Sequence, residues 1–270
     1  MIKKYRYLIF TLVLILVYGG IQSGYMIKNK LKTNDVPIIT FEQSELNVSV
    51  KTNEKNLLNG VKAFDKQDGD ISNNVMIENY SIFLDNQTRL INYVVFDSDG
   101  NVAQASRMIH YDDYQSPKFH MKDQLRDSSY STTKVTDIVK AYSSVDGDIS
   151  NNITIMNTSF IDKDTLELKL SVSDSTNTTS YLTLHYYLDD DYDIEIVLED
   201  YLIYLQAGES FNYRSNVINV VEKLYQNIGL VEEIDIQIPE MEEPGVYEVI
   251  YSISRSNGNH GKATMVVVVE

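Results

Sequence analysis

Asp68-Gly-Asp-Ile-Ser-Asn-Asn74 is written a second time, letter for letter, as Asp146-Gly-Asp-Ile-Ser-Asn-Asn152, at an offset of 78 residues. Self-similarity at a constant period is the mark of a duplicated structural unit, so this stretch serves as a ruler for the rest of the chain. Around the first copy, apolar residues alternate as in half-buried strands: Leu46, Val48 and Val50, then Leu90, Tyr93 and Val95, then Met108 and Ile109. Turn chemistry separates the runs. Asn59-Gly60 and Asp68-Gly69 are turn dipeptides, and Asp97-Ser-Asp-Gly-Asn101 lies between two strand-like runs as a hairpin loop, with Gly100 supplying positive φ. Short strands at this spacing predict a sandwich or barrel.

Around the second copy, Leu166-Glu-Leu-Lys-Leu-Ser-Val-Ser-Asp174 alternates strictly, and Ser175-Thr-Asn-Thr178 turns the chain into Tyr181-Leu-Thr-Leu-His-Tyr186 without the glycine of the first hairpin. A third stretch lacks the Asp-Gly-Asp turn but keeps the end of the pattern. Tyr93, Gly100 and Asn101 recur as Tyr251, Gly258 and Asn259, at an offset of 158. The expected units are 36–113, 114–191 and 192–270.

Before them, residues 7–27 are 21 uncharged and mostly apolar positions. As a helix they would span about 31 Å, enough for a hydrocarbon core of about 30 Å. Lys3, Lys4 and Arg6 precede this span and Lys28, Lys30 and Lys32 follow it. With the α-amino group the leading side is slightly the more basic, which puts residues 1–6 in the cytoplasm and the body outside. The expected partner of residues 7–27 is the cell membrane, through a single-pass signal anchor and a linker at 28–35. The competing reading is a signal peptide removed at about residue 24, which would make the protein secreted.

The 270-residue chain carries 23 basic and 39 acidic residues, and residues 35–270 hold 17 of the former and all of the latter. So acidic a body repels nucleic acid and anionic membrane faces. The absence of cysteine excludes disulfide scaffolds, thiolate metal sites and cysteine nucleophiles. An exported, disulfide-free β-protein fits a bacterial surface.

The run from Gly60 through Asp68-Gly-Asp-Ile71, with Tyr93, Asp97-x-x-Gly-Asn101 and Arg107, resembles the bacterial immunoglobulin-like domains found in tandem on Gram-positive surface proteins. This is the group similar to the immunoglobulin-like domain of an insecticidal crystal protein. The third unit shares the Pro244-Gly-x-Tyr-x-Val-x-Tyr251 strand and the Gly258-Asn259 hairpin. The resemblance implies a β-sandwich at the cell surface and carries over no catalytic residue.

One segment departs from the β pattern. Val217, Val220, Val221, Leu224, Tyr225 and Ile228 fall at helical spacing, with Ser215 or Asn216 as N-cap and Gly229 as C-cap. The fold class expected is therefore all-β, three tandem sandwiches after one N-terminal transmembrane helix, with a short helix in the third unit. The bland reading of that helix is a crossover covering one end of the sandwich. The sharper one makes it a partner-binding surface, with Val217, Glu222, Lys223 and Tyr225 as candidates.

Two carboxylate clusters suggest calcium, Asp65, Asp68 and Asp70 in the first turn and Asp189, Asp190 and Asp191 at the second junction. Solvated Asp-Gly turns explain them without a metal, so no cofactor is expected. His110, His120, His185 and His260 are scattered, and no nucleophile motif or phosphate loop accompanies them, so no enzymatic activity is expected. The function expected is that of a membrane-anchored scaffold or accessory subunit contacting another envelope protein. Three small domains reach only about 100–120 Å, at about 35–40 Å each, which a thick wall would bury. The alternatives are a surface adhesin or ligand-binding module, and a calcium-stiffened spacer.

Overall fold

The computed structural model describes residues 13–24, 35–189, 191–222 and 231–270. Residues 13–24 form helix α1. No helix among the described residues is long and apolar enough to cross a membrane. Residues 7–12 and 25–27 of the expected span lie outside the described residues. The remainder is mostly β-strand and divides into two compact units, 1–112 and 113–270.

In the first unit, β1 (Ile38–Phe41), β3 (Val61–Asp65) and β4 (Gly69–Asp70) make one sheet in the order β1-β3-β4. The other sheet runs β2-β7-β6-β5, from β2 (Glu45–Val48), β5 (Met76–Tyr80), β6 (Thr88–Phe96) and β7 (Val102–Tyr111), with β2 parallel to β7. Strand alternation sends Val61 and Ala63 inward from one sheet and Ile91, Tyr93, Val95, Arg107 and Ile109 from the other. The rings of Phe41 and Tyr93 meet across the interior, 5.4 Å apart. Before β3 the chain makes one turn of helix, α2 (Glu54–Leu57), where the Asn53 side chain accepts from the Asn56 N–H at 3.0 Å. Tyr93 donates its hydroxyl to the Leu57 carbonyl at 2.7 Å. Arg107 donates to the same carbonyl at 2.5 Å and to Asn59 O at 3.1 Å. A buried tyrosine and arginine thus satisfy the carbonyls of the turn that crosses the sandwich end.

The second unit contains the second and third repeats. The second consists of β8 (Lys118–Met121), α3 (Thr132–Ile138), β9 (Val139–Ser143), β10 (Gly147–Asp148), β11 (Thr154–Phe160), β12 (Thr165–Ser173) and β13 (Thr179–Tyr187). Its sheets are β8-β9-β10 and β11-β12-β13. β9 stands 78 residues after β3 and β10 stands 78 after β4, as the ruler requires. The hairpin without glycine is solved by Asn177, which takes φ +64° where the first repeat has Gly100 at +85°. Asparagine is the side chain that tolerates this region best.

The third repeat consists of β14 (Ile194–Leu198), β15 (Leu202–Leu205), β16 (Val217–Glu222), β17 (Asp235–Gln237), β18 (Gly245–Ser254) and β19 (His260–Val269). Its sheets are β14-β16 and β15-β19-β18-β17, with β15 parallel to β19. The helix expected at 217–228 is corrected here. Val217–Glu222 is strand, antiparallel to β14, and residues 223–228, including Lys223 and Tyr225, lie outside the described residues. The i, i+3 spacing of Val217 and Val220 arises from a β-bulge. Asn219 pairs with Val197 and Val217 with Leu198, so Ile218 is the extra residue, and Val217 and Val220 both turn inward although three apart. The β-branched run Val-Ile-x-Val-Val also favours a strand.

The structure departs from three separate domains as well. One hydrophobic core runs from Phe119 through Leu168, Leu184 and Tyr251 to Val269, joining the second and third repeats. Along the seam, the Phe119 N–H donates to the Tyr204 hydroxyl at 2.9 Å, and Lys118 Nζ lies 2.9 Å from Glu270. Polar and aromatic groups thus occupy the edge of β8, and the two sandwiches form one body.

Candidate interaction site

The repeated aspartates are structural latches. Asp68 accepts from the Ser98 N–H at 2.6 Å and the Ser98 hydroxyl at 2.7 Å, tying the turn to the Asp97–Asn101 hairpin. Asp146 does the same with Ser175, at 2.6 Å for both contacts. Asp70 and Asp148 each accept from the hydroxyl and N–H of the serine two residues on, Ser72 and Ser150. These bonds hold both carboxyls below the usual carboxylate range. The buried Asp65 accepts from the N–H groups of Gln67 and Asp68, and Ser143 takes that role in the second repeat. The first calcium cluster is therefore engaged by hydrogen-bond donors.

The third repeat, which lacks the turn, holds its hairpin from the other side. Arg255 stands where the first hairpin has Asp97, and the buried Glu222 lies 3.5 Å from its Nη1 and accepts from Asn259 Nδ2. Glu222 is 4% exposed and Val217 7%, so neither belongs to a free partner-binding surface, as the sequence reading had it. An inward strand position explains both.

At the second junction, Asp189 pairs with Arg126 and accepts from the Tyr192 hydroxyl at 2.8 Å, Asp191 is exposed, and Asp190 lies outside the described residues. The buried Arg126 guanidinium lies 4.8 Å from the ring centroids of both Tyr187 and Tyr192. At this junction the Asp189 carboxylate is engaged by a protein cation, Arg126. Among the described residues, no group of three or more His, Cys, Asp or Glu side chains is placed to hold a metal ion.

Beside that pair, Glu248 on β18 receives the Tyr187 hydroxyl at 2.5 Å, and His185 Nδ1 lies 3.1 Å from its other oxygen. Burial alone would raise Glu248, but the bonds from His185 and Tyr187 outweigh it and keep the carboxyl below its ordinary range. The same hydrogen bond raises His185, and burial drives Tyr187 far above the usual phenol value. This arrangement pins β13 to β18.

Among the described residues, one sheet edge left open beside these latches is β11. β11 pairs with β12 alone, and from Asn151 to Ile161 it carries no charge. Met156, Phe160 and Ile161 are 59%, 68% and 54% exposed. The equivalent edges are blunted. In the first repeat the bulge falls between Ile77 and Asn79, at Glu78, whose carboxylate accepts from Gln104. In the second it falls 78 residues later, at Met156. In the third, β17 has three residues, begins with Asp235 and is followed by Pro239. Charge, shortness and proline are the usual protections of an edge, and β11 keeps only the bulge. The sequence reading missed it, although an eleven-residue uncharged run in so acidic a chain was a visible signal.

No protein-family model and no curated protein matches the chain. Among solved structures it is similar to the CBM51-2 and INT domains of Clostridium perfringens ZmpB in complex with GlcNAc, at 18% identity and TM-score 0.23, over 58% of this chain and 30% of that one. It is similar also to the extracellular domain of protocadherin gamma B4, at 11% identity and TM-score 0.21, over 88% and 52%. A third is a lipoprotein from Bacteroides thetaiotaomicron, at 9% identity and TM-score 0.21, over 85% and 98%. The chain spans about a third of the length of the first of these. At such scores the fold has to be read from the chain's own strands.

Proposed function

We propose that this chain is a cell-envelope protein of immunoglobulin-like sandwiches, held to the membrane through residues 7–27, that works as a scaffold or accessory subunit through protein–protein contacts. The immunoglobulin-like reading is supported by strand order. β3 stands as B and β5, β6 and β7 stand as C, F and G of such a domain, and the place of the D and E strands is taken by the short connection 81–87 between β5 and β6. The observation that carries the contact function is the uncharged, exposed edge β11, open where both of its counterparts are protected. Main-chain groups at such an edge recognise an added strand. The reading includes no catalytic step and no cofactor.

A second reading, a ligand-binding surface module, is favoured by one feature of the first unit. The Arg89 guanidinium lies 4.3 Å from the Tyr80 ring centroid and 5.2 Å from that of Phe83, beside the exposed Ile82 and Leu84. A photo-crosslinking residue placed at Phe160 or at Ile82 of the full-length chain in its native cell separates the two. Capture of a defined protein from Phe160 supports the scaffold. Capture from Ile82 alone supports the ligand module, and silence at Phe160 in a folded, membrane-associated chain refutes the first reading.

A further inference from the structure

We propose that the strand seated on β11 is a second copy of β11, running antiparallel about a two-fold axis through Ser159, so that the protein works as a symmetric pair. The proposal rests on the contact function assigned to this edge and names its occupant. The ladder sets the register. The Ile161 N–H donates to Thr165 O at 2.9 Å, and Thr158, Ser159 and Phe160 face Leu168, Glu167 and Leu166. Bonded and non-bonded pairs alternate in an antiparallel ladder, so Asn157, Ser159 and Ile161 spend their main-chain groups on β12, and Thr158 and Phe160 present theirs to the open edge. An axis at Ser159 sets Thr158 of each copy opposite Phe160 of the other and engages all of these groups. An axis at Thr158 would instead bring Phe160 against the bulge at Met156.

The side chains agree with this register. The exposed apolar groups lie at both ends of the strand, Met156 at one and Phe160 and Ile161 at the other. In this register Phe160 of each copy lies opposite Thr158 of its mate and Ile161 opposite Asn157, so both of these exposed groups are covered by uncharged residues, with Met156 at the rim. A parallel copy would stack like ends. Each copy carries a net charge of −16, which opposes association, and the pairing strand is free of charge over the stretch where the copies would approach. Screening of the remaining repulsion should make the pair tighten as salt rises, the reverse of an attraction between opposite charges.

The chain has no cysteine, so one introduced thiol reports the register without background. At the axis the two Ser159 residues form a non-hydrogen-bonded pair with Cα atoms about 4.5 Å apart, within disulfide reach. Two Asn157 residues would stand about 13 Å apart, four strand steps at about 3.3 Å each. In the full-length chain in native membranes, mild oxidation of the Ser159→Cys variant should give a covalent dimer about tenfold or more faster than that of Asn157→Cys. Adding Thr158→Pro, which removes one outward N–H, should abolish the difference. Equal rates for the two thiols overturn the proposal. A different protein captured from Phe160, with no Ser159 dimer, overturns self-pairing and leaves the contact function standing. Neither dimer nor capture overturns both.

Discussion

Replacing Asp68 by alanine releases the first hairpin from its turn, and replacing Asp146 does the same in the second repeat. Each carboxylate accepts one backbone N–H and one hydroxyl, at 2.6 and 2.7 Å for Asp68 and at 2.6 Å twice for Asp146. These groups are exposed, so each bond contributes about 0.5–1 kcal/mol, or about 1–2 kcal/mol per latch. The same loss reads differently in the two units. A body of 60–100 residues loses about 4–8 °C in Tm per kcal/mol, and one of 150–250 residues about 2–4 °C. The β-stranded part of the first unit falls within 35–112, and the second unit is 113–270. Scanning calorimetry of the full-length chain should therefore show Asp68→Ala lowering one transition by about 5–15 °C and Asp146→Ala lowering the other by about 2–8 °C. Asparagine at either position, which keeps one acceptor, should recover part of the loss. If Asp146→Ala instead split off a third transition, the continuous core through the second and third repeats would be refuted. If neither variant moved Tm, the latch itself would be.

Three further outcomes follow from particular positions. His185 is raised, so its contribution to the seam is complete below its ordinary value of 6.5 and is lost as pH climbs through the folded value; Glu248 is lowered, so its contribution is complete above 4.5 and is lost as pH falls through its own. Tm of the second unit should peak between those two values, and Glu248→Gln should flatten the peak and bring the His185 titration, followed by NMR, down towards 6.5; a peak unmoved by the substitution would refute the coupling. Gly261→Ala should lower the stability of the second unit by about 2 kcal/mol or more in denaturant titration, since the added Cβ would meet the Ile194 carbonyl oxygen at 2.3 Å. Asn177→Gly should leave stability within about 0.5 kcal/mol, whereas Asn177→Ala should lower it by about 1–2 kcal/mol, the price of holding a β-carbon at positive φ.

How much of this was legible in the sequence depends on how local the cause is. The two copies of Asp-Gly-Asp-Ile-Ser fixed the period and the turn, because a carboxylate two residues before a serine and a glycine at positive φ act within a few residues. Strict alternation in Leu166–Ser173 was enough to place β12 and its inward face. Bulges are not local in this sense. Ile218 is extra only because of how β16 pairs with β14, and the i, i+3 spacing it creates imitates a helix. The fates of Glu222 and Asp189 also depended on distant partners, Arg255 with Asn259 for the first and Arg126 for the second.

By itself the sequence determined an all-β chain built on a 78-residue period, with an uncharged apolar segment before an acidic body. Only the tertiary structure decided that the second and third repeats share one core, and that one of three equivalent edges stands open. The reason is physical. Period and alternation are written in neighbouring residues, whereas a seam or an edge is defined by which strand comes to lie alongside, and Tyr187 and Glu248 meet from positions 61 residues apart.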